Sequence, residues 1–272
     1  MSTALEPYKP GIFDLTHKLT VEKHGHTALL TINNPPANTW DRESLIGLRH
    51  LIDHLDRDDD IYALVITGQG GKFFSAGADL KLFADGDKAR AREMASRFGE
   101  AFERLQRLPR RVYRCDQWLR HGRRPGVRPG VRHPHCRAPG LDGPAGSQRR
   151  PSALCRRHQN LPWLVGEGWA KRMILCGERV DADTALRIGL VEQVVDTGEA
   201  RGHALLLASK VANQSPVAVR AIKPLIQGAR ERAPTTWLAA ERERFVDLFD
   251  ADDTHEGVNA FLEKRTAKWR NQ

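Results

Sequence analysis

The sequence has few cysteines and no long apolar run, and each absence excludes a class of protein. The four cysteines, at positions 115, 136, 155 and 176, follow no regular spacing in 272 residues, which excludes a disulfide framework. No apolar run approaches the roughly 20 residues that a membrane helix needs. The opening MSTALEPYKPGIF also lacks the basic-then-apolar order of a signal peptide. We therefore expect a cytoplasmic protein with no membrane partner.

One window, residues 111–158, lacks seven residue types altogether: Ile, Phe, Met, Lys, Glu, Asn and Thr. Arg, Pro and Gly supply 12, 6 and 6 of its residues, and no apolar periodicity survives there. Six prolines at these intervals exclude a helix or a central strand. The apolar content is also too low to offset the entropy cost of ordering. The window as it stands is therefore predicted to be disordered or badly packed.

The positive charge of the protein is concentrated in the same window. The net charge is +9 overall and +10 within the window, which leaves the rest of the chain at −1. Arginines can contact phosphates, but the only aromatic residues here are Tyr113 and Trp118, and no nucleic-acid-binding module is recognisable. We predict no nucleic-acid partner and keep this function as a remote alternative. No metal is predicted either, because five possible ligands lack a paired C-x-x-C spacing. They are His133, His135, Cys136, Cys155 and His158.

Outside the window, apolar periodicity predicts alternating strands and helices. Because the run ALVIT at 63–67 is unbroken, it predicts a strand buried on both faces of a sheet. Such an order indicates an α/β fold wound by crossovers. Upstream of the window we predict a hairpin over 19–32, a helix over 42–56, that strand, and a helix over 87–108. Downstream we predict a strand over 190–195 and helices over 160–176, 183–189, 201–213, 216–229, 236–249 and 255–269.

The stretch KFFSAGADL, residues 72–80, follows the buried strand and turns at Gly77 into a predicted helix. The first N–H groups of a helix lack internal partners and lie at the positive end of its dipole. The turn is therefore suited to hold developing negative charge, such as an oxyanion. The alternative is a plain strand-to-helix connection, with Gly77 for the turn and Asp79 as a first-turn acid.

These residues resemble the crotonase, or enoyl-CoA hydratase/isomerase, family. The resemblance rests on Gly68, the FFSAGADL turn, the NNPPAN turn at 33–38 and the closing ERERFVDLFDADDTHEGVNAFLEKR. It implies an α/β spiral of ββα units over residues 1–200 and a helical C-terminal trimerisation region over 201–272. It also implies a homotrimer, or a dimer of trimers.

The resemblance implies addition of water to 2-enoyl-CoA thioesters, with no cofactor because CoA is part of the substrate. The backbone N–H of Ala78 is then one oxyanion donor, and the carbonyl of Ala76 holds the adenine amine. Further implied CoA contacts come from the segment after the turn and from the C-terminal part. They are Asp79, Leu80, Lys81, Phe245 and Lys264, of which Lys81 meets a phosphate. The alternative for Lys81 and Lys264 is a solvent-facing lysine, and for Phe245 a core position.

Codon degeneracy suggests why the window is unlike the rest. Shifted by one base, Tyr113 to Arg128 can encode (T/I)AAINGYAMGGGLEC, and Leu141 to His158 can encode WMALPEASVGLLPCAGGT. Both strings resemble the remaining family motifs, so we predict a frameshift over about residues 112–158. A genuine Arg-rich insertion is the alternative. The lost second donor then overlaps Arg123 and Arg124, and the two lost glutamates overlap Gly126 and Val127, and Gly146 and Ser147.

The chain as written is therefore predicted to be nearly inert, whereas the product in the original frame is predicted to be an enoyl-CoA hydratase. A related enzyme with another outcome, such as an enoyl-CoA isomerase, decarboxylase or hydrolase, is the alternative. Two hidden glutamates favour hydration, because an isomerase usually needs only one base.

Overall fold

The structure is a computed structural model and describes residues 6–7, 16–70, 74–114, 132–135, 157–178, 180–196, 198–229 and 234–272. Most of the Arg-rich window lies outside these ranges, and there its predicted poor packing lies outside the described residues. At residues 111–114 that prediction is wrong, because this segment pairs in parallel with residues 63–66 and Val112, 3% exposed, belongs to the core. Among the helices that the structure describes, none combines the length and the apolar character needed to span a bilayer.

The N-terminal part forms a five-stranded sheet with the spatial order β1-β2-β3-β4-β5. The first three strands pair antiparallel, whereas β3, β4 and β5 pair in parallel. The predicted hairpin and the predicted buried strand are confirmed. The strands are β1 Glu6–Pro7, β2 Leu19–His24, β3 Thr27–Ile32, β4 Ala63–Gly68 and β5 Arg111–Arg114.

Helices cover both faces of this sheet. On one face, α1 (Arg42–Arg57) and α2 (Lys88–Arg107) share a core with alternate residues of the strands, including Leu30, Leu64 and Ile66. On the other face, α5 (Ala200–Ala212) packs its small residues against the remaining alternate strand residues. The buried residues of this second core are Leu29, Ala63, Val65, Ala200, Ala204 and Ala208. The unbroken apolar run of β4 thus has its predicted cause, because each face of the strand is buried.

Helix α1 begins at a capping box formed by Asp41 and Ser44. The Asp41 carboxylate accepts the Ser44 N–H at 2.9 Å, and the Ser44 hydroxyl accepts the Asp41 N–H at 2.9 Å. Two N–H groups that a helix start would otherwise leave unpaired are thereby satisfied. One stripe of the helix is buried, as its periodicity predicts. The apolar members of that stripe are Leu45, Leu48, Leu51, Ile52 and Leu55.

The C-terminal part is mainly helical, as predicted. A two-stranded antiparallel sheet, β6 with β7, connects it to residues 132–135, near the middle of the Arg-rich window. Pro134 of β6 lies in this small sheet rather than in a central strand, which fits the restriction on proline in sheets. The elements are β6 Arg132–His135, α3 Arg157–Leu175, α4 Ala182–Arg187, β7 Gln193–Asp196, α6 Pro216–Gly228, α7 Pro234–Asp247 and α8 Asp252–Leu262.

Three predictions on helices are wrong in detail. The continuous helix predicted over 160–176 is broken at Gly166, whose φ of 78° and ψ of 159° separate two helical pieces of α3. The helix predicted over 255–269 ends at Leu262, because Lys264 adopts a φ of 54° and the chain leaves the helical path. The segment after the Gly77 turn is only a 3-10 helix, Leu80–Phe83, before α2 begins.

Candidate active site

The turn that carries Ala78 lies beyond the end of β4. At its start, the Gln69 N–H donates to the carbonyl of Ile32 at 2.7 Å, which continues the pairing of β4 with β3. Residues 71–73 lie outside the described ranges. The turn resumes at Phe74 and Ser75, which are both buried, and the Ser75 hydroxyl accepts the Gly77 N–H at 3.1 Å.

Gly77 occupies a backbone conformation that other residues rarely adopt. Its φ is +90°, and a Cβ added at this position would meet no atom within 4 Å. Space is therefore not what requires glycine here. The positive φ requires it, because L-residues are strained in this region of conformational space.

Three backbone hydrogen bonds join this turn to the segment 37–40. The Ala76 N–H donates to the Ala37 carbonyl at 2.9 Å. The Trp40 N–H donates to the Gly77 carbonyl at 2.8 Å, and the Asp79 N–H donates to the Trp40 carbonyl at 2.9 Å. Trp40 and Ala78 thus form an isolated parallel bridge.

The geometry of a parallel bridge decides where the Ala78 N–H points. Trp40 uses both of its backbone groups on Gly77 and Asp79, the neighbours of Ala78. The peptide groups alternate in direction along an extended chain, so the Ala78 N–H points away from Trp40. Within the described residues this N–H has no acceptor, and Ala78 is only partly buried. The turn therefore presents one available donor, the N–H of Ala78, whose direction is fixed by the hydrogen bonds of Gly77 and Asp79 to Trp40.

The three residues after Ala78 serve the local structure or face solvent. The Asp79 carboxylate accepts the Lys81 N–H at 3.1 Å and so caps the 3-10 helix. Leu80 is 41% exposed, and the Lys81 side chain is exposed as well. Because this helix is a 3-10 turn of four residues, its dipole is weaker than that of a long α-helix. The orientation of the single N–H of Ala78 carries the site instead.

Neither α7, which carries Phe245, nor α8, which precedes Lys264, packs mainly against the Ala78 turn. Phe245 lies on α7, is 61% exposed and stacks edge-on against Phe249 at 5.3 Å. Helix α7 packs mainly on α6 and on the 3-10 helix Leu248–Asp250, and α8 packs mainly on that same 3-10 helix. The core position considered for Phe245 is therefore wrong. The CoA contacts predicted for both residues stay predictions.

The segment 34–41 contributes side chains that the sequence did not point to. Asn38 is 3% exposed with a φ of 51°, and its Nδ2 donates to the Gln69 carbonyl at 3.0 Å. Asn34 Nδ2 donates to the Thr39 carbonyl at 2.6 Å. The family resemblance rests in part on the NNPPAN turn but assigns no role to its side-chain amides. A run of Asn around two prolines is the available signal, since Asn tolerates positive φ.

Asp41, which follows Trp40, carries the main electrostatic feature of this segment. Burial alone would raise the pKa of Asp41, but hydrogen bonds from Lys18 and from Ser44 outweigh it and hold that pKa below its usual value. Lys18 also lies 2.8 Å from Glu43, and its own pKa is raised. The charged form of Asp41 thus helps to anchor the segment that holds the Ala78 turn.

The positions predicted for the second donor and the two glutamates lie outside the described residues. They are Arg123, Arg124, Gly126, Val127, Gly146 and Ser147. These assignments therefore stay predictions. The described residues include no group of three His, Cys, Asp or Glu side chains able to hold a metal ion.

Comparison with known proteins identifies the family. The sequence model of the enoyl-CoA hydratase/isomerase family matches residues 22–113 and 155–272. The short-chain-enoyl-CoA hydratase of Clostridium acetobutylicum is 30% identical, covering 92% of this chain and 96% of that protein. The 2,3-dehydroadipyl-CoA hydratase of Escherichia coli K12 is 31% identical, covering 94% and 99%. A solved structure of Pseudomonas aeruginosa DspI is 63% identical, with a TM-score of 0.83, covering 96% of this chain and 100% of that one.

These matches confirm the predicted crotonase-like α/β fold with its helical C-terminal region. The matched ranges lie on either side of residues 114–154, which fall within the Arg-rich window. The chain belongs to the enoyl-CoA hydratase/isomerase family.

Proposed function

We propose that this protein, in its original reading frame, is an enoyl-CoA hydratase that adds water to the 2,3 double bond of 2-enoyl-CoA thioesters. The observation that carries the proposal is the orientation of the Ala78 N–H, fixed by the bonds of Gly77 and Asp79 to Trp40. The hydratase names of two relatives over nearly the whole chain support the reaction class.

The reaction needs this donor because it passes through an enolate. The oxygen of water bonds to C3, the π electrons of the 2,3 bond move toward C1, and the negative charge collects on the thioester oxygen. The enolate then takes a proton at C2 while the attacking water loses one, which gives the 3-hydroxyacyl-CoA. A preorganised N–H stabilises the charge without having to reorient, and removal of one such donor costs about 10²- to 10³-fold in rate.

The second donor and two acid/base glutamates complete the proposed mechanism, and the chain as written has none of them in frame. Each missing proton-transfer group costs a further factor of about 10² to 10⁴. The frameshift proposal accounts for the loss. It is supported by the composition of residues 111–158 and by the interruption of the family match at 114–154.

The remaining contacts are proposed on the same basis. Ala76 is assigned to the adenine of CoA, Asp79, Leu80 and Lys81 to the CoA near the turn, and Phe245 and Lys264 to the CoA of the same or a neighbouring subunit. Exposed apolar side chains on the C-terminal helices support assembly into a trimer or hexamer. They include Leu238, Phe245, Val246, Phe249, Val258, Phe261 and Leu262. We propose a cytoplasmic location.

Sequencing of the gene across codons 108–160 tests the frameshift. A corrected sequence that encodes GYAMGGGLEC and a PE motif supports it, and an unchanged Arg-rich sequence in several independent isolates contradicts it. Incubation of the frame-restored protein with crotonyl-CoA tests the reaction. Formation of 3-hydroxybutyryl-CoA supports the hydratase proposal. Conversion of 3-enoyl-CoA to 2-enoyl-CoA without hydration would instead support the isomerase, which the family also includes.

A further inference from the structure

We propose that Asn38 is a positioning residue that sets the direction of the Ala78 N–H toward the thioester oxygen. The inference rests on the proposed role of Ala78 and adds a residue that acts through the hydrogen bonds that hold the Ala78 turn. It follows from the hydrogen bonds around one four-residue segment, 37–40, which holds both ends of the Ala78 turn.

The backbone of Asn38 is unusual for a buried residue. Its φ of 51° lies in the left-handed region, and only 3% of the residue is exposed. Asn visits this region more readily than most residues, because its short polar side chain can bond locally. The conformation reverses the chain after the prolines, so that Ala37 and Trp40 face the turn with their backbone groups.

The Asn38 amide ties this segment to the end of the sheet. Its Nδ2 donates to the Gln69 carbonyl at 3.0 Å, and its Oδ1 accepts the Asn34 N–H at 3.2 Å. Gln69 is itself held by the Ile32 carbonyl, at the ends of β3 and β4. The side chain therefore places the segment 37–40 relative to the strand from which the Ala78 turn leaves.

The same segment places the far end of the turn. Ala37 accepts the Ala76 N–H, and Trp40 pairs with Gly77 and Asp79. The Asn38 side-chain amide thus connects Gln69, where the turn begins, with the segment whose backbone hydrogen bonds flank Ala78. If the amide donor is lost, the segment can shift relative to β4 while its bonds to the turn persist. A shift of this kind would misalign the Ala78 N–H with an oxygen that must lie within about 3 Å of it.

Two substitutions separate the amide from the backbone. Asn38→Asp keeps the shape, the tolerance of positive φ and the acceptor for Asn34, but it removes the donor to Gln69. Asn38→Gly keeps the backbone conformation and removes the side chain. The matched control is Asn213→Asp, at an exposed residue after α5 whose side chain makes no described bond.

The full-length chain is examined by two measurements. The first uses 4-dimethylaminocinnamoyl-CoA, an enoyl thioester whose absorption moves to longer wavelength as its carbonyl oxygen accepts a stronger hydrogen bond. The second follows hydrogen exchange of the Ala76 and Asp79 amides, with the amides of α1 and α5 as the internal measure of folding. The spectral shift reports the alignment of the donor, which a purely structural loss elsewhere would not change.

We expect Asn38→Asp and Asn38→Gly to lose at least half of the wild-type spectral shift. We also expect exchange at Ala76 and Asp79 to be about tenfold faster, since a partly buried hydrogen bond is lost. Asn213→Asp is expected to match wild type in both measurements. A wild-type shift and wild-type exchange in both Asn38 variants would overturn the inference.

The two proposals fail in different ways. If neither the chain as written nor its frame-restored counterpart shows a spectral shift, the proposed role of Ala78 is contradicted. The exchange data then decide whether Asn38 holds the turn at all, and unchanged exchange at Ala76 and Asp79 would overturn that too. A wild-type shift that persists in the Asn38 variants contradicts only the positioning role.

Discussion

Replacement of Gly77 by alanine should damage substrate binding far more than it damages folding. Gly77 has a φ of +90°, and an added Cβ would meet nothing within 4 Å, so the only direct cost is backbone strain. Strain of this kind is worth about 1–2 kcal/mol per residue. In the alanine variant, residue 77 either keeps its positive φ and the strain, or changes its φ and loses the strain. Relief would rotate the next peptide group, which carries the Ala78 N–H.

Gly86 supplies a matched control for this variant. Its φ is +70° and its Cβ position is equally open, but it follows the 3-10 helix and has no bond to the segment 37–40. Gly77→Ala and Gly86→Ala should therefore lower the free energy of unfolding by similar amounts, about 1–2 kcal/mol each. Only Gly77→Ala should weaken the donor to the thioester.

The assay measures urea unfolding and the spectral shift of bound 4-dimethylaminocinnamoyl-CoA for the two variants and wild type. In the frame-restored chain, kcat for crotonyl-CoA hydration should also fall by about 10²-fold or more in Gly77→Ala, the cost of one misplaced oxyanion donor. If both glycine variants lose the shift and the rate equally, the turn has no special relation to the substrate. The account of Ala78 would then be refuted.

Three further predictions concern the supports around the turn. Asp41 has a lowered pKa, so its contribution to stability is present above its ordinary pKa of about 3.9 and lost as the pH falls through the lower folded value. Asp41→Asn keeps an acceptor for the Ser44 N–H but loses the ion pair with Lys18, so it should flatten the acid limb of unfolding curves and cost about 0.2–1 kcal/mol at neutral pH. Asp253 is 1% exposed and accepts two backbone N–H groups of the C-terminal tail at 2.7 and 3.0 Å. Asp253→Asn should lower the free energy of unfolding by about 1–3 kcal/mol and speed amide exchange of residues 270–271. The control Asp252→Asn, at an exposed residue, should change neither. Equal effects of the two variants would contradict the role of Asp253 in holding the tail. Arg110 is also 1% exposed and donates to three carbonyls at the end of α1. Arg110→Met should therefore lower the free energy of unfolding, measured in urea, by about 1–3 kcal/mol. An unchanged urea midpoint would contradict the role of Arg110 in capping α1.

Local pattern was sufficient to predict the elements that form the buried sheet and its first two helices. Strand β4 and helix α1 each carry a strong apolar pattern that reports burial directly. The turn at 74–79 was also predictable, because its glycine and its place after a buried strand are sequence features. The direction of the Ala78 N–H was not, since it depends on a bridge to Trp40 thirty-eight residues earlier.

The two missed helix boundaries have different causes. In α3 the apolar residues around Gly166 fit a helical period, but the glycine breaks it with a positive φ. Beyond α8, the tail follows bonds to Asp253 and Glu256 rather than helical propensity. Asn38 was missed for a similar reason. Its partner Gln69 is distant in sequence, and nothing local predicts that an amide in a proline turn will hold the end of a strand.

The most direct measurement compares the rate of crotonyl-CoA hydration by the full-length chain as written with the rate of the frame-restored chain. The account predicts that kcat/KM of the chain as written is lower by at least 10²- to 10³-fold, because it keeps the Ala78 donor and lacks the second donor and both glutamates in frame. Hydration by the chain as written at a rate equal to that of its restored counterpart would contradict the assignment of the reacting groups.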